Sequence, residues 1–296
     1  MPASFAMPPA GFGPGSQPQT DEDGLQYLAM PSGVMTYSPH LPEVADPLAA
    51  GRASQFLRQI SAGAAGWTAK DSITMDLSVL DAAARAIVDD ALGEGEVSIL
   101  MEDGAGRIEV QETVFAGLWF VRTLPATPGV SPREEVEVAA FPTSVLARAF
   151  AERALQDVTA ASQPPGLINA PAILTELAEH STAWQPGQPP HSINLTLLPH
   201  TLEDLAFIDQ TLGEGRVRIL SRGYGNCRIE AAATPQVWRV RFFNSMDTLI
   251  LDMIEVVDVP EVACAAPEDL ADSASRLAEI CDLLDEESRV AGEAHP

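Results

Sequence analysis

The chain carries one block of sequence twice, and this repeat limits its fold more than any other feature. Residues 87–100 read IVDDALGEGEVSIL and residues 207–220 read FIDQTLGEGRVRIL, so Leu92-Gly93-Glu94-Gly95 matches Leu212-Gly213-Glu214-Gly215. The match continues past small gaps. Arg107-Ile108-Glu109 aligns with Arg228-Ile229-Glu230. Trp119, Val121 and Arg122 align with Trp238, Val240 and Arg241, and Glu137-Val138 and Pro142 with Glu255-Val256 and Pro260. Anchors this numerous, in one order, indicate two domain-sized copies of one unit rather than a solenoid of short repeats.

Each copy reads as a helix followed by an antiparallel meander. In the second, Thr201 suits a helix N-cap, and Glu203 and Asp204 sit favourably at the positive helix end. Leu202, Leu205, Ile208 and Leu212 recur on one helical face, and Gly213 suits the positive φ that ends helices. Arg216 to Arg222 alternates, with Val217 and Ile219 on one side and Arg216 and Arg218 on the other. Gly223 to Asn226 reads as a turn. Arg228 to Ala233, Val237 to Phe243 and Leu249 to Val259 continue the sheet. The first copy repeats the pattern over residues 76–141, with Asp81 as helix cap and Ile87, Ala91 and Leu92 on the apolar face.

The expected class is therefore α+β: two tandem copies of a helix plus antiparallel β-meander unit, with connecting helices and a C-terminal helix. The connecting helices fall near residues 143–160 and 172–183. Pro267 to Glu287 forms the last helix, with Leu270, Ala274, Leu277, Cys281 and Leu284 as its apolar stripe and an acidic opposite face. The divisions are residues 1–50 as a largely disordered N-terminal arm, 51–165 as the first repeat with flanking helices, and 166–296 as the second repeat with the C-terminal helix. The arm is Pro- and Gly-rich, as in Gly11-Phe12-Gly13-Pro14-Gly15-Ser16. Its apolar stretch Tyr27 to Tyr37 is read either as packing on the body or as ordering on a partner.

Charge narrows the partners. The formal net charge is -25, from 42 acids against 17 bases in 296 residues. Such a surface repels nucleic acid and anionic membranes and attracts a basic polypeptide segment. No apolar stretch approaches a membrane span, and no secretory signal opens the chain. Cys227, Cys264 and Cys281 are too few for a disulfide framework and fit a reducing, cytoplasmic setting.

The sequence nominates no enzyme chemistry. It has no Walker loop, dinucleotide fingerprint or Gly-x-Ser-x-Gly elbow. The Gly-Glu-Gly stretches run from helix into strand, whereas phosphate cradles run from strand into helix. His40, His180, His191, His200 and His295 are scattered, with no His-x-x-x-His or Cys-x-x-Cys pair. No cofactor is expected. Cys227 and Cys264 form a metal site only if they converge with a third ligand; otherwise they are small apolar residues, and Cys281 is core. Arg216, Arg218, Arg222, Arg228, Arg239 and Arg241 make the second meander basic, while Glu96, Ser98 and Glu102 occupy matching positions in the first. This is either a solvated strand face or a complementary surface, led by Arg216 and Arg218, through which the units pair within one chain or in a homodimer.

A family resemblance enters over Ile193 to the last helix. The residues that carry it are Ile193-Asn194-Leu195-Thr196-Leu197-Leu198-Pro199, Glu203-Asp204-Leu205-Ala206-Phe207 and Ser221-Arg222-Gly223-Tyr224-Gly225-Asn226-Cys227-Arg228-Ile229. Phe242-Phe243-Asn244-Ser245, Glu255 to Val262 and Ala263-Cys264-Ala265-Ala266 complete it. This region resembles the C-terminal domain of HupH/HyaF/HoxQ-type hydrogenase expression proteins. Met30 to Gly33 and Leu41-Pro42-Glu43 also resemble that family's tail. The resemblance implies a non-catalytic accessory role in maturing an uptake nickel–iron hydrogenase. It implies binding of a hydrogenase subunit precursor, chiefly the small iron–sulfur subunit, before twin-arginine export, alongside a thioredoxin-like accessory protein. Its alternative is a nickel or iron–sulfur metallochaperone using Cys227 and Cys264. The residues expected to meet the partner are the exposed turn residues Arg222, Tyr224, Asn226 and Cys227, with Phe243 and Asn244 in the next turn.

Overall fold

In a computed structural model, which describes residues 42, 46–68, 72–150, 164–222 and 226–293, each repeat begins one helix and one strand earlier than the helix-plus-meander unit read from the sequence. The first comprises α1 (Pro47–Ala65), β1 (Ile73–Asp76), α2 (Ala82–Leu92), β2 (Val97–Asp103), β3 (Gly106–Glu112), β4 (Leu118–Pro125) and β5 (Arg133–Val138), then the short α3 (Thr143–Leu146). The second comprises α4 (Ala170–Ala183), β6 (His191–Asn194), α5 (Leu202–Leu212), β7 (Glu214–Ser221), β8 (Asn226–Ala232), β9 (Val237–Phe243) and β10 (Leu249–Val256), then α6 (Pro267–Glu293). Most of the N-terminal arm, including Tyr27 to Tyr37, lies outside the described residues, as does the part of the expected 143–160 helix beyond residue 150. α1 begins at Pro47, within the stretch read as arm.

The ten strands among the described residues form one antiparallel sheet, ordered β1-β5-β4-β3-β2-β7-β8-β9-β10-β6. The two copies therefore join through β2 and β7. The register there is Val97↔Ser221, Ile99↔Ile219 and Met101↔Val217. Ile99 and Ile219 also correspond in the repeat, so a pseudo-twofold axis passes between them. This is the isologous geometry of a symmetric dimer, realised within one chain.

Side-chain alternation gives the sheet two buried faces. On one, Val97, Ile99 and Met101 of β2 join Val217 and Ile219 of β7, Ile229 of β8 and Trp238 and Val240 of β9. Phe141, Val145 and Ala149 around α3, together with Ala263, belong to the same apolar layer. Trp119 and Trp238 are fully buried there, and their indole N–H groups donate to carbonyls just past each meander: Ala139 at 2.8 Å, and Val257 and Asp258 at 3.2 and 3.1 Å. A tryptophan so placed combines a large apolar area with a satisfied polar atom, and its truncation costs about 3–5 kcal/mol.

On the other face, α1, α2 and α6 cover the first meander and α4 and α5 the second. Asp81 caps α2 by accepting from the N–H groups of Ala83 and Ala84 at 3.1 and 3.0 Å. Thr201 and Asp204 form a reciprocal capping box on α5. The α6 stripe Leu270, Ala274, Leu277, Cys281 and Leu284 is buried throughout, as its spacing predicts. Small residues of α1 let α6 approach: the Ser61 and Ser54 hydroxyls donate to the carbonyls of Ala274 (2.8 Å) and Cys281 (3.3 Å).

One local expectation differs from the structure. Leu202 is 82% exposed, because it opens α5 beyond the apolar cluster, whereas Ile208 and Leu212 are buried. The buried position in that turn is Asp204, whose carboxylate accepts from the backbone N–H groups of Thr201, Ile168, Asn169 and Ala170 at 2.9–3.2 Å. Burial alone would raise this carboxyl, but those donors outweigh it and hold it at about 2.

Candidate functional site

Of the turn residues singled out in the sequence, Arg222, Asn226, Phe243 and Asn244 lie at one end of the second meander. Asn226 opens β8 and pairs with Phe243, the last residue of β9. Arg222 is exposed at the end of β7, and its backbone N–H donates to the Glu96 carbonyl at 3.1 Å. Tyr224 lies outside the described residues. Phe243 is half-buried beneath the Arg228 guanidinium, 4.3 Å from the ring centroid. Arg228 also bonds both Asp247 carboxylate oxygens, at 2.9 and 3.2 Å.

Asn244 shapes the β9–β10 connection. Its Oδ1 accepts from the N–H groups of Met246 and Thr248, both at 2.9 Å, and its own N–H donates to the Thr248 carbonyl at 3.0 Å. This side-chain-closed turn pushes Met246 into solvent, 82% exposed. Leu249 and Ile250 follow, also exposed. β6 pairs only with Met253–Val256, so residues 249–251 have β9 on one side and no described strand on the other. The Thr196 hydroxyl, accepting from Asp252 N–H at 2.8 Å, closes the paired part of this edge, and exposed Leu197 follows it. The result is an open strand edge bearing apolar side chains, a feature folded proteins ordinarily cover. Sequence reasoning reached Phe243 and Asn244 but missed Met246, Leu249 and Ile250. Their signal is a run of apolar residues past a turn, which alone looks like strand core.

Cys227 does not share this exposure. Alternation from exposed Asn226 turns it inward, and it is fully buried in the layer with Ile229 and Trp238. Burial pushes its thiol up to about 12, with Glu255 adding to the shift. Cys264 packs on the same layer, its thiol donates to the Pro260 carbonyl at 3.6 Å, and burial raises it to about 12 as well. Among the described residues, neither thiol belongs to a group of three ligand atoms close enough to share an ion.

Arg216 and Arg218 lie on β7, the strand that pairs with β2. Arg218 stands opposite Leu100 and pairs with Glu214 of its own strand at 3.7 Å. The Arg216 guanidinium instead reaches the Arg148 carbonyl at 3.5 Å. A register shift between Glu214 and Arg218 separates the two environments. On the helix-bearing face, a groove of about 560 Å³ straddles the seam, lined by Leu100, Gln111, Phe120, Arg122, Arg218 and Glu230 among others. Its cations are paired locally: Arg122 meets Glu134 at 3.3 Å, Arg218 meets Glu214 at 3.7 Å and Arg228 meets Asp247 at 2.9 Å.

Elsewhere in the second copy, α4 brings Glu176 and His180 against His191 of β6. Among the described residues, this is the group of His, Cys, Asp or Glu side chains with at least three ligand atoms close enough together for an ion. Sequence reasoning missed it because β6 spans four residues and gives no legible period.

The chain matches the C-terminal conserved region of the HupH hydrogenase expression protein twice, at residues 52–161 and 167–284. Both copies of the internal repeat thus match one conserved region. Over 284 residues the chain is 49% identical to the hydrogenase expression/formation protein HupH of Rhodobacter capsulatus, covering 96% of this chain and 100% of that protein. It is 42% identical to the hydrogenase expression/formation protein HoxQ of Cupriavidus necator, covering 94% and 97%. It is 31% identical to the hydrogenase-1 operon protein HyaF of Escherichia coli, covering 93% and 96%.

Proposed function

The chain belongs to the HupH family of hydrogenase expression proteins, and from that premise we propose that it is a non-catalytic assembly factor for an uptake nickel–iron hydrogenase. It holds a subunit precursor, the small iron–sulfur subunit, in the cytoplasm before export. A thioredoxin-like accessory protein shares the task.

The observation that carries this reading is the open, apolar end of the second meander. Residues 249–251 of β10 lack a described neighbour on one side, and Met246, Leu249 and Ile250 project from the same hairpin. An extended segment of an incompletely folded client adds to such an edge through main-chain hydrogen bonds, while apolar pockets take its side chains. Arg222, Asn226, Phe243 and Asn244, at the same end of the meander, serve as recognition residues, and Tyr224 is assigned the same role. The net charge of -25 draws in a precursor with a basic leader over the distance set by salt screening. The packing of Cys227 and Cys264 in one apolar layer favours this holding role over carriage of metal by cysteine.

Affinity purification of the chain from cells expressing the hydrogenase genes tests the proposal. The precursor should co-purify with the wild type and be lost from Ile250→Asp and Tyr224→Ala variants whose circular dichroism is unchanged. Recovery of the precursor at wild-type yield with both variants would remove the edge from the account.

A further inference from the structure

We propose that Glu176, His180 and His191 form a binding site for one divalent first-row transition metal ion of the zinc type, at the junction of α4 and β6. Glu176 and His180 are four residues apart on α4 and so share a helical face. His191 opens β6 and brings its ring to them. Its Nε2 lies 2.8 Å from a Glu176 carboxylate oxygen, and the His180 and His191 rings stack in parallel with centroids 3.5 Å apart. One ligand atom from each of the three residues lies within 4.8 Å of the others. Ligands bound at ~2.0–2.2 Å from an ion stand roughly 3–4 Å from one another. Small rotations of solvent-facing side chains therefore close the set. Two imidazoles and one carboxylate match the preference of such ions, and the open side leaves positions for water.

The first repeat serves as an internal control. Ile73 pairs with Val138 as His191 pairs with Val256, so Ile73 occupies the position of His191 in the other copy. There the side chain lies against Gly63 of α1, an apolar contact that needs no polar group. The second copy places three ligand-bearing side chains at this spot, where the first has an apolar contact. A bound ion would tie the edge strand β6 to α4 and brace that side of the second meander.

The test uses the full chain, stripped with chelator, then titrated with Zn²⁺ by calorimetry and with Co²⁺ by visible absorption. The expected result is one equivalent bound, Co²⁺ bands of nitrogen–oxygen ligation, and a higher thermal midpoint with Zn²⁺. His180→Ala and His191→Ala should each weaken binding at least tenfold, Glu176→Gln should weaken it less, and His200→Ala should leave it unchanged, all with wild-type circular dichroism. Absence of saturable binding by the wild type, or undiminished binding by both His180→Ala and His191→Ala, would overturn the proposal. If the alanine variants misfold, Glu176→Gln carries the decision: affinity equal to wild type would likewise overturn it.

Discussion

Ile99 and Ile219 face one another across the junction of β2 and β7, and each is the other's counterpart in the repeat. Both are buried. The seam between the units is thus a continuation of the sheet ladder with an apolar centre, and Arg218 forms its ion pair with Glu214 on its own strand. Ile99→Ala and Ile219→Ala should each lower stability by about 2–4 kcal/mol, and by similar amounts because the two sites are related by symmetry. Urea unfolding should show one transition by fluorescence and circular dichroism. Two resolved transitions would mean that the copies fold independently.

The repeated Leu-Gly-Glu-Gly block has a steric cause. Gly93 and Gly213 take positive φ as each helix ends. Two residues on, the chain crosses its neighbour so closely that a Cβ on Gly95 would sit 2.2 Å from the Thr113 carbonyl oxygen, and one on Gly215 2.3 Å from that of Ala231. Both obstacles are backbone, so Gly95→Ala and Gly215→Ala should each cost more than about 2 kcal/mol. Unchanged denaturation midpoints would contradict this packing.

Asp204 joins the N-terminus of α5 to the start of α4 through four backbone donors. Asp204→Asn turns an acceptor into a donor facing N–H groups and should cost about 2 kcal/mol. The carboxyl is lowered to about 2 in the fold, below its ordinary value. Its stabilising contribution is therefore present above that ordinary value and lost as pH falls towards 2. Acid titration of wild type and variant should converge in that window; parallel curves would argue against the network.

Glu112 behaves oppositely. Burial raises its carboxyl to about 7, against the backbone N–H groups of Gly117 and Val97, which lower it. The folded state then binds the proton more tightly than the unfolded chain, so stability falls as pH rises from the ordinary glutamate range through 7. Glu112→Gln should gain on wild type across that interval, by on the order of 1 kcal/mol once the group's partial exposure is allowed for, and level off above it. A gap that does not change with pH would refute the shift.

Much of this architecture is legible in the sequence, because local chemistry and tertiary packing agree. The Thr201 cap, the α6 stripe and the alternation of Val217 and Ile219 all follow from period and turn residues. β1 and β6 are not legible: four residues carry too little alternation, and their partners lie some sixty residues away in β5 and β10. α1 is rich in alanine, and its partner α6 is more than two hundred residues distant. For the candidate site, the placing of Asn226, Phe243 and Asn244 at strand ends was legible because turns advertise themselves. Cys227 was misjudged because a residue at a strand's start can face either way until the register is known. Glu176, His180 and His191 escaped because the edge strand that unites them is a tertiary fact.

The measurement that bears most directly on the holding role is titration of purified, anaerobic small-subunit precursor into the full chain. It is repeated with a Met246→Asp, Ile250→Asp double variant of wild-type circular dichroism. The account predicts saturable binding by the wild type and at least about tenfold weaker binding by the variant, a loss of roughly 1.4 kcal/mol or more. Equal affinity for the two proteins, or no binding by the wild type, would contradict it.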